Sequence, residues 1–499
     1  NFSSYEEDWV YENLLTAARL ERGTVRRLAE YNPMTLEEAE NQFKSTFEKA
    51  LADDSNSIWV IRKATGLGGT AKLLNLTDKI IAFPNHFLKS EVASNFKVPF
   101  VSTPDLPFDK INEKLSKRIK YLYSIGAVIS ANNLIKRESK TNKDLKEYLQ
   151  ETLKAYVSCN TVLTTHSKAL FIDFNNHNTI IFDEDPLSTI LETGEITLND
   201  LNRLAQAVTN KKDKNILEKY INIITSGLTN CVESSKEFIL NNISAIEDII
   251  LNNKDYDSNV LNFLKSDYYA LEESDVSKLY FLKHNSLNSG NLRNKKIIIL
   301  SATANEFIYK ALYGNRVKFI DISKVELKGA IIQDTQYSLS RASMKNEKVL
   351  NEVKSKLPED IDVITFAGFK HSFENAVPDL HFGKCTGSNI LEGKDLAVIG
   401  TPHIKSIQYL LYAKALDIKI SPHDFKMNLS RVIHNDLEFR IVTFNKKELQ
   451  WIQFHFIEEQ IKQAIGRGRA LRNMIIVYFH SSYPLPESCL TEKEKYIGL

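Results

Sequence analysis

The chain is short of chain breakers, of cysteine and of net charge. Its 12 prolines and 18 glycines in 499 residues are about half the usual share. That excludes collagen-like, linker-rich and low-complexity proteins, and it favours long helices. The four cysteines, Cys159, Cys231, Cys385 and Cys489, are far apart and form no C-x-x-C pair. This argues against a disulfide scaffold, a zinc finger and a four-cysteine iron–sulfur cluster. A reducing, cytoplasmic (intracellular) setting is expected. No apolar run approaches the roughly 18 residues of a membrane span, so a membrane is not expected as a partner. The 64 basic and 63 acidic residues leave a net charge of +1. Nucleic acid, if bound, must therefore lie in a local groove rather than on a generally cationic surface.

What is present has the ordinary globular balance, with 43 % hydrophobic and 25 % charged residues. The length suggests two to four domains. Continuous Ile/Val/Phe runs predict strands at Ile58–Lys63, Lys79–Pro84, Thr161–Thr165, Thr179–Asp183, Lys296–Ser301 and Val317–Ile322, then at Asp362–Ala367, Leu396–Gly400, Phe439–Phe444 and Met474–Phe479. Runs without alternation suit strands buried on both faces of a parallel sheet. Helical patterns lie between them. Thr35-Leu-Glu-Glu38 reads as a capping box, followed by Ala39, Phe43, Phe47 and Leu51 on one face. The expected architecture is α/β, with two parallel-sheet units and a helical insertion in the first. The expected boundaries are a helical lead-in at 1–52, a first unit at 53–325 with helical insertions at about 104–150 and 190–293, and a second unit at 326–499.

Four motifs carry chemistry. Lys63-Ala-Thr-Gly-Leu-Gly-Gly-Thr70 places a glycine-dense turn directly after a strand. Such a turn points backbone N–H groups into one small space that suits phosphate, and Thr70 is placed to offer a hydroxyl to Mg²⁺. The alternative is a plain strand-to-helix turn. The phosphate-loop pattern also asks for a lysine before the hydroxyl residue, and that position is Gly69; Lys72 is nearby, but on the following helix. Ile180-Ile-Phe-Asp-Glu-Asp-Pro186 ends an apolar strand in carboxylates, which lets Asp183 hold Mg²⁺ and Glu184 orient or deprotonate a water; an acidic turn is the alternative. Ile297-Ile-Ile-Leu-Ser-Ala-Thr303 puts the Ser301 and Thr303 hydroxyls at a strand end, where they could bond the acidic motif. Gln463-Ala-Ile-Gly-Arg-Gly-Arg-Ala-Leu-Arg472 gathers three of the chain's 16 arginines within six positions. Guanidiniums are fixed forks suited to a transferring phosphoryl group, and a basic surface turn is the alternative.

In this order the four motifs resemble those of superfamily 2 helicases, over about 55–485, and most closely the DinG/XPD-like and phage- or plasmid-encoded branches. The resemblance implies two RecA-like domains with ATP between them. Thr65, Gly66, Gly68, Gly69 and Thr70 would bind ATP, with Thr70 and Asp183 on Mg²⁺. Asp183, Glu184, Gln463, Arg467 and Arg469 would carry catalysis, with Arg472 in a lesser place. Ile80-Ile-Ala-Phe-Pro-Asn-His-Phe-Leu88, Val162-Leu-Thr-Thr-His166 and Val363-Ile-Thr-Phe-Ala-Gly-Phe369 resemble strand-binding motifs, which implies nucleic-acid contacts at Pro84, Asn85, Thr165, His166 and Thr365. Lys384-Cys-Thr-Gly-Ser-Asn389 resembles the motif that couples the strand to ATP, through Gly387 and Asn389 together with Ser301 and Thr303. The insertion before Ser-Ala-Thr is similar to the arch of the DinG/XPD-like branch, whose iron–sulfur cysteines are absent here.

The implied activity is an ATP-dependent helicase or translocase on single-stranded nucleic acid, with DNA preferred. The alternative is a hydrolysis-deficient helicase fold that binds nucleic acid or a partner, and Gly69 is its main support. The chain begins at Asn1 rather than Met, which admits a longer parent such as a primase–helicase, and a primase or other replication partner with it.

Overall fold

The computed structural model describes residues 25–490 apart from 228, 230, 237, 239, 254–255, 257–258, 273–274 and 386–388. The first part of the lead-in, 1–24, lies outside the described residues. Its second part is the helix Leu36–Ala52. Thr35 and Glu38 exchange the two bonds of a capping box, and Phe43 stacks on Phe47 one turn later, 5.9 Å between centroids.

The apolar runs of the first domain form a seven-stranded parallel sheet. Its order is Val317–Ile322, Ile58–Lys63, Lys296–Ser301, Thr179–Asp183, Ile80–Phe83, Thr161–Thr165, Phe100–Ser102. The middle strands are covered on both faces, which is why they read as unbroken apolar runs. Three adjacent strands of this sheet, Ile58–Lys63, Lys296–Ser301 and Thr179–Asp183, end at one edge. They deliver the glycine turn, Ser-Ala-Thr and Asp-Glu-Asp to the carboxyl end of the sheet, the usual ligand side of an open α/β fold.

The second domain holds a five-stranded parallel sheet in the order Asp362–Ile364, Leu396–Ile399, Ile476–His480, Ala330–Asp334, Cys489–Leu490. Two sequence expectations are corrected here. The run Phe439–Phe444 belongs to the antiparallel hairpin Met427–His434/Leu437–Phe444 instead. Its burial alternates along the strand, as suits a half-covered antiparallel strand. The strand Ala330–Asp334 falls where the sequence shows only a boundary, because its apolar run is just Ala-Ile-Ile. Buried Gln333 anchors it: its amide donates to Ser481 O and Tyr483 O, and its carbonyl accepts from Leu485 N and Ser488 Oγ.

The insertion at about 104–150 is the helices Glu113–Ser124, Val128–Glu138 and Lys143–Val157. The larger insertion contains helices such as Leu198–Ala207 and Lys211–Ser226. It also contains an antiparallel sheet, ordered Leu191–Thr197, Asp275–His284, Tyr268–Glu272, Val232–Ser234. Its strands escape a search for apolar runs because they are short or polar, as in Leu-Glu-Thr-Gly-Glu-Ile-Thr197. This sheet lies against the helix Ser406–Ala415 of the second domain. That helix is buried on nearly every side, at Ile407 and from Tyr409 to Ala413. Lys405 Nζ donates to Glu195 Oε2 (2.7 Å) and to the Tyr280 hydroxyl (3.0 Å). One apolar cluster thus runs from the first sheet through the insertion into the second domain.

Candidate nucleotide cleft between the two parallel sheets

The glycine turn needs its glycines at two positions. Gly66 and Gly68 have φ of +88° and +86°, a region that other residues avoid. Gly69 has ordinary backbone, but the space beside it is filled. A Cβ there would lie 2.3 Å from Cε and 2.8 Å from Nζ of Lys63. Lys63 ends its strand with only 5 % of its surface exposed.

Next to it, Thr70 Oγ1 donates to Asp183 Oδ2 at 2.8 Å. The other oxygen, Asp183 Oδ1, is buried and has no hydrogen-bond partner. Burial pushes the Asp183 carboxyl up to about 6, against the opposing charge of Lys63 and the bond from Thr70. Glu184 follows in a left-handed conformation, φ +71°, uncommon outside glycine. Its N–H donates to Leu300 O at 2.9 Å, so the acidic turn is pinned to the neighbouring strand. The third carboxylate, Asp185, is held from within, accepting from Leu187 N and the Tyr309 hydroxyl.

Ser301 and Thr303 do not bond the acidic side chains. Ser301 Oγ accepts from the N–H groups of Thr303 and Ala304, each at 3.0 Å, and contacts Thr303 Oγ1 at 3.3 Å. The hydroxyls close their own turn because the strand end leaves those N–H groups without ladder partners. The link to the acidic motif is the Glu184–Leu300 backbone bond. From the second domain, His455 lies buried near the Thr303 backbone and is held near a pKa of 4 chiefly by burial.

The second domain approaches through the helix Lys447–Ile465 and the turn after it. Gly466 packs so closely on Thr65 that a Cβ would lie 2.6 Å from Thr65 Cγ2. The three arginines then diverge. Arg467 is mostly buried, donates from Nε to Gln463 O at 2.9 Å, and carries its charge opposite Glu184. Arg469 turns back into its own domain, onto Glu392 Oε1 (2.6 Å) and Asn389 Oδ1 (2.7 Å). Arg472 crosses the cleft, with Nε on Gly66 O (2.7 Å) and a terminal nitrogen on Glu40 Oε1 (2.6 Å). Asn389 also crosses, its amide donating to Glu91 Oε1 at 2.8 Å. Arg469, Asn389 and Glu91 therefore form one chain from the arginine turn to the helix His86–Ser94. Gly387 lies outside the described residues.

Of the residues expected to touch nucleic acid, Pro84 and Asn85 are partly exposed, with Asn85 capping the helix His86–Ser94 through Leu88 N. The side chains of the other three, Thr165, His166 and Thr365, face inward. Thr165 caps the helix His166–Phe171. His166 bonds Asp183 O at 2.9 Å and is held near a pKa of 4 by burial. Thr365 donates to Ile399 O at 2.9 Å with no exposed surface. Each sits at a strand end, where a polar side chain first satisfies nearby backbone groups.

Sequence reading passed over Lys63, His455 and Glu459. Lys63 follows Arg62 at a strand end, and His455 and Glu459 lie in a helix of mixed polar and apolar residues, so the sequence marks none of the three. Glu459 faces Asp185 and Glu184 from the second domain, and burial with those two charges pushes it up to about 8.

The groups expected for Mg²⁺ fit it. An unpartnered buried carboxylate oxygen beside a hydroxyl is a partial shell, and magnesium takes one or two carboxylates and completes its sphere with waters and substrate phosphates. Among the described residues no trio of His, Cys, Asp or Glu is gathered to hold a metal.

No family model matches the chain, and no curated protein matches it. Solved structures do. An XPD helicase structure aligns over 89 % of this chain and 95 % of its own, at 13 % identity and a TM-score of 0.53. The fold is that of this XPD helicase structure. A second XPD structure, in its apo form, covers 88 % of this chain and 96 % of its own, at 14 % identity and a TM-score of 0.49. The cleft described above lies between the two parallel-sheet domains, and the large insertion precedes the Ser-Ala-Thr strand. No described helix is long and apolar enough to cross a membrane.

Proposed function

We propose that the chain is an ATP-dependent helicase or translocase on single-stranded nucleic acid, with DNA the preferred substrate, serving replication, repair or a mobile-element or phage process. One observation carries this reading. The Thr70–Asp183 pair, with its free carboxylate oxygen, lies at the mouth of the glycine turn, and Arg467 of the other domain lies within electrostatic reach of the adjacent Glu184.

The roles follow from placement. The backbone of 65–69 cradles phosphates. Thr70 and Asp183 would hold Mg²⁺, which when bound would supply charge neutralisation for the phosphates. Glu184 orients the attacking water and accepts its proton. Arg467 approaches the transferring phosphoryl group from the second domain, so full stabilisation needs a closed cleft. The Arg469–Asn389–Glu91 chain gives that closure a route to the helix after Pro84 and Asn85.

Arg467→Ala tests the assignment. Turnover should fall by about 100-fold or more while affinity for single-stranded DNA changes little. Equal loss of both would defeat the arginine's role. The second reading, a binding protein without hydrolysis, is favoured by Gly69 alone.

A further inference from the structure

The missing lysine at position 69 leaves a question of charge. A phosphate loop without a side-chain cation holds a triphosphate through backbone N–H groups only. The structure offers a replacement that does not come from the loop itself.

Lys63 is the last residue of the strand that enters the loop. Its side chain runs beneath the turn, and its Cδ, Cε and Nζ occupy the volume that a side chain at 69 would need, at 3.2, 2.3 and 2.8 Å from a Cβ built there. A side chain at 69 and Lys63 in its present position claim the same space, so a residue larger than glycine there would displace the end of Lys63. The absent side chain at 69 and the buried lysine at 63 are therefore one feature. The lysine is costly where it is. With only 5 % of the residue exposed, the ammonium has little water around it and gains from a compensating anion. Asp183 feels its charge, yet among the described residues no acceptor bonds the ammonium and no carboxylate pairs with it within 4 Å. Its neighbourhood is otherwise the glycine turn. The site lacks an anion of the kind that a nucleotide phosphate supplies.

We propose that Lys63 is the phosphate-binding cation of this cleft, reaching the β- and γ-phosphates of a nucleoside triphosphate from the strand end and through the gap left by Gly69. This rests on the nucleotide-hydrolysing reading above and removes the main argument against it. The chain then keeps one lysine at the phosphates, supplied from six residues earlier.

The proposal is tested with three variants of the full chain: Lys63→Met, which keeps the apolar stem and removes the charge; Gly69→Lys; and the two combined. Binding of ATP with Mg²⁺ by calorimetry and steady-state hydrolysis with single-stranded DNA are measured, with thermal unfolding as a check on folding. Lys63→Met should weaken ATP binding at least about 10-fold, as expected for a lost charge-assisted bond, and lower turnover at least as much. AMP, which lacks the β- and γ-phosphates, should bind both forms alike. Gly69→Lys alone should lose activity, because Lys63 fills its space, and the combined variant should recover it. A folded Lys63→Met chain that binds and hydrolyses ATP like the parent would overturn the proposal and leave the functional reading standing. If Lys63→Met does not fold, loss of activity in Gly69→Lys supports the proposal and a gain overturns it. A parent chain that binds no ATP would overturn both.

Discussion

Gly466→Ala places one methyl group at the contact between the two domains. The residue has helical backbone, φ −62° and ψ −11°, so alanine is allowed there and is the better helix former by roughly 0.5–1 kcal/mol. The second domain alone should not be weakened. The new Cβ, however, would sit 2.6 Å from Thr65 Cγ2 and 3.2 Å from Thr65 Cβ and Oγ1. Ordinary carbon contacts lie at about 3.5–4.0 Å, so the domains must part by about 1 Å or Thr65 must move, and Thr65 belongs to the phosphate loop. Overpacking of this kind costs about 1–3 kcal/mol, which lowers the closed population by a factor of about 5 to 150. Steady-state turnover should fall by that factor, with thermal stability equal or higher. Thr65→Ser removes the offending Cγ2 and should restore part of the loss. Parent-level turnover in Gly466→Ala, or no recovery with Thr65→Ser, would refute the closed cleft as the active arrangement.

The remaining predictions address the metal, the coupling chain and the fold. Thr70→Val removes the hydroxyl that donates to Asp183 Oδ2, and it should lower Mg²⁺-dependent turnover at least about 10-fold while metal-free nucleotide binding changes little; equal loss of both would reject Thr70 as a metal ligand. Asn389→Ala breaks the bridge from Arg469 to Glu91, so DNA-stimulated hydrolysis should drop more than DNA-free hydrolysis; an equal drop would reject the coupling role. His166 and His455 are both held near 4 by burial against an ordinary value of about 6.5. Between those values the unfolded chain binds protons that the folded chain refuses, so these two residues lose stability as pH falls from about 6.5 toward 4. The urea midpoint of His455→Gln should depend less on pH across that window than that of the parent, and an unchanged dependence would contradict its burial as neutral imidazole.

Legibility in the sequence followed burial and motif order. Strands covered on both faces, such as Ile297-Ile-Ile-Leu300, announce themselves by composition, and their ends carry the glycine turn, Asp183 and Ser301 to one edge. The hairpin strand Leu437–Phe444 misleads because an alternating strand can contain a short apolar run. The strand Ala330–Asp334 is hidden because a buried glutamine rather than apolar length holds it. Within the cleft, the motifs identify which segments meet but not which side chains cross. On paper Arg467 and Arg469 rank alike with Arg472 below them, yet of the three Arg472 is the one that reaches Gly66 and Arg467 the one that feels the charge of Glu184. That choice depends on the turn after helix Lys447–Ile465, where Arg469 adopts a left-handed φ of +57° and swings back onto Glu392. Lys63 is the sharpest case. Its role depends on what is missing at 69, and only three-dimensional placement shows the two positions sharing one space.

The most direct measurement is steady-state ATP hydrolysis by the unaltered chain with Mg²⁺, with and without single-stranded DNA. The account predicts hydrolysis that rises when the strand is added, despite glycine at position 69. A chain that binds the strand but neither binds nor hydrolyses ATP would contradict it.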